Sequence, residues 1–379
     1  MDLTYTPEEE AFRAEARSWL EANAPKPALP SGDTAEGFAR HREWEKRLFE
    51  ARWAVVSWPE RYGGRDATLM EWLIFEEEYY RAGGPQRITQ NGIFLLAPTI
   101  FEFGTEDQKD RILSRMAAAE DLWAQGWSEP NAGSDLAGIR SKAVRDEAAG
   151  GWRLSGQKTW TTRGAFCDWL FGLFRSDPEA PRHKGLTYFL VPLRAEGVTV
   201  RAVERLDGDE GFAEVFFDDV FVPDADVLGG VHQGWQVAMA TTGSERGLTL
   251  RSPGRFLATA DRLIALWRAH CDVADERLRD EVVEGWMDAQ AYQLATLEIA
   301  TRLADGARIG AESSLTKVFW SEMDVRLHET ALKLLGTGAE NDTGGWLKGY
   351  QFALAGPIYA GTNEIQRNVI AQRVLGLPR

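Results

Sequence analysis

Glu245 and Arg246 stand side by side in the run TTGSERG (241–247), near the end of a stretch whose periodicity predicts a helix over 234–250. A carboxylate can serve as a proton acceptor once burial raises its affinity for a proton. The same Glu and Arg on an exposed helix are an ordinary ion pair worth little to stability, and Arg246 alone reads equally as a surface arginine. Three other runs gather groups suited to holding a ligand. In GWSEPNAGSD (126–135), Ser128 offers a hydroxyl beside strand backbone donors, and Asn131-Ala132-Gly133-Ser134 reads as a tight turn that a phosphate-bearing group can approach. A plain loop between strands has the same composition. GQKTWTTRG (156–164) places Trp160 and Thr162 on a strand, where an aromatic is commonly core. In IYAGTNEIQ (358–366), Gly361-Thr362 combines close backbone approach with a hydroxyl, and Glu364 follows.

Composition removes several function classes. With Asp+Glu 58 against Lys+Arg 43, the net charge of -15 repels phosphate backbones and anionic headgroups, so nucleic acid and membrane surfaces are not expected as main partners. A local cationic pocket can still take an anionic ligand. Cys167 and Cys271 are isolated and suggest no disulfide framework, and the five histidines are scattered without an H-x-x-x-H or C-x-x-C pair, so no metal is expected. The opening MDLTYTPEEE lacks an apolar core segment and no run of about 18 apolar residues occurs. A cytoplasmic protein is the expectation.

The elements that must position these groups change character along the 379 residues. Thr6-Pro7-Glu8-Glu9 is a helix start, with a Thr cap, a Pro where no donor is needed and a Glu placed to close a capping box. Phe12, Ala16, Trp19 and Leu20 then mark one buried face. Helical periodicity continues through 69–82, 87–103 and 106–118, which makes the first 120 residues almost wholly helical. From about 122 the period shortens. Runs rich in Trp, Phe, Val and Thr at 123–128, 151–162, 168–176, 185–193, 197–206 and 213–223 predict a compact β domain of six or seven strands. Helical patterns return after 230 and persist to about 375, with breaks near Cys271-Asp272, 304–311 and 336–345.

Taken together, GWSEPNAGSD, GQKTWTTRG and IYAGTNEIQRNVIAQRVLG (358–376) closely resemble the signature runs of the acyl-CoA dehydrogenases, and the α, β, α order agrees across essentially the whole chain. The resemblance implies an α+β fold: an N-terminal helical domain (1–121), a middle β-barrel-like domain (122–230) and a C-terminal four-helix bundle (231–379). It implies FAD, with Trp127, Ser128, Trp160, Thr162, Thr362 and Glu364 at the cofactor, and an acyl-CoA substrate with Ser134 near the pantetheine and Arg246 at the carboxylate or the CoA. It further implies α,β-desaturation to a 2,3-enoyl-CoA, electrons passing to an electron-transfer flavoprotein, and a dimer or tetramer of like or unlike chains.

Departures from the family pattern set the remaining expectations. Many relatives carry their catalytic glutamate just before the C-terminal Gly-Thr, where this chain has Ala360; others carry it beside an arginine on the helix after the β domain, where Glu245-Arg246 stands. Glu245 is therefore the expected base. Trp127 replaces an aliphatic residue, no R-x-x-F-G occurs in 258–281, and the usual glycine-rich segment is reduced to LLGTGAEN (334–341). These losses resemble the subfamily acting on bulky acyl-CoAs such as steroid side chains, in which two different chains share FAD sites. A non-catalytic or half-site subunit of such a heteromer is the alternative reading.

Overall fold

The computed structural model describes residues 4–246 (backbone only for 244–246), 252–270, 276–307, 310–341 and 344–378. Its elements group into two compact units, each assembled from segments far apart in sequence.

The first unit takes residues 1–26, 67–85 and 246–379 and is helical. Thr6 caps α1 (Pro7–Asn23) through its hydroxyl, and Glu9 returns a bond to the Thr6 amide, so the capping box legible in the sequence forms. Helix α3 (Leu69–Arg81) begins with a second box, Thr68 with Glu71. It packs on α1 and on the bundle of α7 (Pro253–Ala269), α8 (Glu276–Ala304) and α9 (Ser313–Leu335). Phe256, Tyr292, Trp320, Met323 and Leu327 fill the centre of that bundle. The short α10 (Trp346–Ala353) and α11 (Asn363–Val369) lie on α9. The expected break at Cys271-Asp272 lies outside the described residues.

The second unit takes residues 27–66 and 86–245. It contains α2 (Ala35–Glu50), α4 (Ala97–Phe103), α5 (Glu106–Ala117), a mixed sheet, and α6 (Gly234–Arg246), whose final residue is the first of the other unit's last segment. The helix expected over 87–103 is a π-helical turn (Asn91–Leu96) running into α4. Pro98, lacking an amide hydrogen, cannot continue the regular ladder there.

Eight strands are present among the described residues: β1 (Trp123–Gly126), β2 (Lys142–Asp146), β3 (Gly151–Lys158), β4 (Trp169–Arg175), β5 (Leu186–Pro192), β6 (Val198–Val203), β7 (Phe212–Pro223) and β8 (Val227–Leu228). Their order is β6-β7-β3-β2-β4-β5-β8, with β1 also on β4. Strands β2 and β8 go beyond the six apolar runs because one is charged (KAVRD) and the other is two residues long, so neither carries a strand-length apolar pattern. Leu154, Phe174, Phe189, Val191 and Val215 form the buried centre of the sheet. Gly156 sits at φ 144° where the β3–β7 register shifts, a bulge position open to glycine.

Candidate active site

Strands β1 and β2 occupy successive lengths of the same edge of β4, pairing in parallel at Trp123↔Trp169 and at Lys142↔Arg175. Between them the chain leaves the sheet, and this gap is filled by the 126–135 run. The Thr159 amide at the end of β3 donates to the Ser128 carbonyl at 2.9 Å, joining two of the runs singled out in the sequence. The tight turn lies at 129–132, closed by Glu129 and Ala132 exchanging backbone bonds of 2.9 and 3.0 Å. It falls two residues earlier than the sequence suggested because Pro130 supplies the fixed φ of the second turn position. Ser134 follows on the exposed side.

Beyond Thr159 the backbone turns sharply. Trp160 adopts φ 57° and Arg163 φ 54°, both in the left-handed region that bulky residues avoid. Thr161 exchanges backbone bonds with Ala213 at 3.0 and 2.9 Å, and the Arg163 amide donates to Gly211. The Trp160 ring meets Phe212 edge-on at 5.7 Å yet remains 61% exposed. Trp127 is buried, and its indole Nε1 meets no hydrogen-bond partner.

Two buried ion pairs flank this segment. Lys158, fully buried, places Nζ 2.8 Å from Glu129 Oε1 and 3.5 Å from the Trp127 carbonyl. Glu129 also accepts from the Arg140 and Ser141 amides at 2.6 and 2.9 Å. Burial pushes the Lys158 ammonium down to about 8, against the pull of Glu129. Burial alone would raise Glu129, but Lys158 and the amides outweigh it and hold the carboxyl below its ordinary value. At the other end Arg163 Nε lies 2.5 Å from Asp33, which also receives Arg205. These four charged residues, Lys158, Glu129, Arg163 and Asp33, escaped the sequence reading. The available signal was a lysine in an otherwise apolar strand register, Leu154 and Lys158 both being buried.

Glu245 lies in the last turn of α6. That helix starts against β5, where Gly234 approaches so closely that a Cβ would stand 2.8 Å from the Leu186 carbonyl oxygen. Thr241, one turn before Glu245, is buried and bonds Thr99 at 2.9 Å and Tyr188 at 3.4 Å. The Glu245 and Arg246 side chains lie outside the described residues.

In the helical unit, Ala360 takes φ 56° and Gly361 φ 79°, forming the turn before α11. Thr362 caps that helix, its hydroxyl accepting from the Ile365 amide at 3.3 Å. Glu364 is exposed, and its own amide and the Thr362 hydroxyl hold its carboxyl below the ordinary value. Asn363 is anchored beneath by Lys317 at 2.7 Å and Ser321 at 3.2 Å.

These residues fit the cofactor implied by the resemblance. A flavin needs an aromatic face and polar groups at its ring edge. Trp160 supplies an exposed indole, while the half-buried Ser128 and Thr162 have hydroxyls that bond no described residue. Among the described residues no cluster of metal-ligating side chains occurs, and no helix is long and apolar enough to cross a membrane. Cys167 is buried and its thiol is pushed up to about 12, mainly by burial. Such a thiol is inert as a nucleophile.

Comparison with known proteins identifies the family. Sequence models of the acyl-CoA dehydrogenase N-terminal, middle and C-terminal domains match residues 6–120, 124–220 and 232–375. The chain is 37% identical over 394 aligned positions to the acyl-CoA dehydrogenase IpdE1 of Mycolicibacterium smegmatis, with 98% of each covered. Among solved structures it resembles the Tcur3481-Tcur3483 steroid ACAD (TM-score 0.89, 26% identity, all of both chains covered). It also resembles the ChsE4-ChsE5 complex of Mycobacterium tuberculosis (TM-score 0.86, 28% identity, all of both chains covered). From its first helix to its last, the chain belongs to the acyl-CoA dehydrogenase family and is an acyl-CoA dehydrogenase.

Proposed function

We propose that this chain binds FAD and desaturates a bulky acyl-CoA, with Glu245 as the base that removes the α-proton and a 2,3-enoyl-CoA as product. The observation that carries the reading is the backbone bond from Thr159 to Ser128, which joins the 126–135 run to the strand end leading into the exposed, left-handed Trp160. Bound there, FAD would supply the two-electron acceptor for the hydride leaving the β-carbon. Trp160 gives the ring a face to lie on, and Ser128 and Thr162 orient its polar edge; Thr362 and Glu364 are the further cofactor residues that the resemblance proposes. Glu245 takes the α-proton onto its carboxylate, with Arg246 orienting that carboxylate or meeting the CoA. Ala360, a methyl group, leaves no second acceptor at the alternative position used in the family.

The substrate class rests on the steroid ACAD named among the similar structures and on the departures at 258–281 and 334–341. The ChsE4-ChsE5 complex and the two-part Tcur3481-Tcur3483 enzyme support assembly with a second dehydrogenase-type chain. So does an apolar stripe along α8, where Val283, Trp286, Met287 and Leu294 are exposed. Electrons then pass to an electron-transfer flavoprotein. The test is the visible spectrum of the purified protein, followed by anaerobic titration with straight-chain and steroid acyl-CoAs. One flavin per protomer bleached by the bulky thioester agrees with the proposal; a colourless chain that gains flavin only with a partner points to a half-site subunit.

A further inference from the structure

Within the six residues 158–163, burial swings between extremes. Lys158 and Arg163 are buried charges, while Trp160 between them is 61% exposed. Two of the six, Trp160 and Arg163, hold left-handed backbone angles. For L-residues that region costs about 1–2 kcal/mol each, and such conformations persist only where the surroundings over-determine them. The surroundings here are specific. Lys158 ties the start of the segment to Glu129, whose carboxylate is fixed by two amides at the far side of the 129–141 loop. The same ammonium reaches the Trp127 carbonyl and lies 4.8 Å from the Phe174 ring centre. Arg163 ties the end of the segment to Asp33, and its Nη1 reaches the Arg87 carbonyl at 3.4 Å. Asp33 is shared with Arg205, which also binds Asp207 at 2.8 Å. Replacing a buried ion pair with apolar residues commonly leaves stability unchanged or improves it, so stability alone is a poor reason for two such pairs five residues apart.

We infer that Lys158 and Arg163 are positioning residues for the cofactor face: one buried ion pair at each end of 159–162 holds Trp160 and Thr162 in the backbone arrangement that presents them to FAD. The inference rests on the FAD reading above and adds how the face is made rigid. Neither residue touches the ligand in this scheme. Lys158 acts through the Thr159–Ser128 bond, so that Ser128 and Trp160 move together, and Arg163 acts through the turn that follows Thr162.

The experiment compares the wild-type chain with Lys158→Met, Glu129→Gln and Arg163→Lys in three readouts: hydrogen exchange of a peptide covering 159–163 in the FAD-free protein, FAD affinity, and visible circular dichroism of the bound flavin. Exchange in 159–163 is expected to rise about tenfold or more while β5 is unchanged. FAD affinity is expected to fall about tenfold to a hundredfold, the range seen when supporting residues behind a ligand site are removed, and the flavin signal changes shape. Glu129→Gln keeps the shape and removes only the charge, so it carries the same readouts if Lys158→Met does not fold. Lower thermal stability with exchange in 159–163 and FAD affinity both within about twofold of wild type overturns the inference. A wild-type chain that takes no FAD in any setting sinks the FAD reading and the cofactor role with it, and the exchange measurement still distinguishes that result from a segment that was never clamped.

Discussion

Gln366 holds the turn at Ala360 from the helix that follows it: its side-chain amide donates to the Ala360 carbonyl at 3.0 Å and to the Gly361 carbonyl at 3.3 Å. Ala360 holds φ 56°, in the left-handed region that residues with a Cβ seldom adopt. Gln366→Ala therefore removes both bonds at a half-buried turn and should destabilise the protein by about 1–3 kcal/mol. Ala360→Gly relieves the left-handed strain and should be neutral or stabilising by up to about 1 kcal/mol once the extra freedom of the unfolded chain is counted. Thermal unfolding of both variants checks the pair of signs.

Glu245→Gln preserves size and leaves the flavin groups untouched. Flavin content should stay at the wild-type level while single-turnover bleaching by an accepted acyl-CoA slows by about a hundredfold to ten-thousandfold, the usual contribution of a general base. Undiminished bleaching would mean that the proton goes elsewhere.

Lys158 makes the Trp160 face sensitive to alkali. Its ammonium is pushed by burial down to about 8 from 10.5. The unfolded chain therefore holds this proton more tightly than the folded one, so the charged lysine opposes folding below pH 8, and that opposition fades as pH rises from about 8 to 10.5. Near-ultraviolet circular dichroism should show a transition centred close to pH 8 that Lys158→Met abolishes.

Acid acts on the other end of the same segment. Burial would raise Asp33, but Arg163 and Arg205 more than offset it and hold the carboxyl below its ordinary 3.8. Stability from this group is complete above that value and is lost as pH falls through the lower folded one. Asp33→Asn should cost about 3–5 kcal/mol near neutrality, because it leaves Arg163 buried without a counter-charge. Chemical denaturation across pH should show the variant and the wild type converging in acid.

The apolar stripe on α8 predicts an assembly that a single charge disrupts. Met287 is 56% exposed and Trp286 lies beside it. Met287→Lys should lower the molar mass seen by light scattering, alone or with a partner chain, without changing the helical circular dichroism. An unchanged mass would place the interface on another face.

The sequence by itself determined the family, the capping box at Thr6 and Glu9, and five of the eight strands as clear apolar runs with β1 at the head of its own. All of these are local: a cap needs residues three apart, a strand needs its own pattern, and a signature run is read where it stands. Strand β2 escaped because its pairing with β3 and β4, not its charged sequence, makes it a strand. The tertiary structure decided how helices from the first 120 residues are divided, α1 and α3 with the C-terminal bundle and α2, α4 and α5 with the sheet. It also decided that Lys158 and Arg163 are buried charges with partners 29 and 130 residues away along the chain. No local pattern encodes such pairs, because a buried charge is tolerable only once the distant counter-charge is in place.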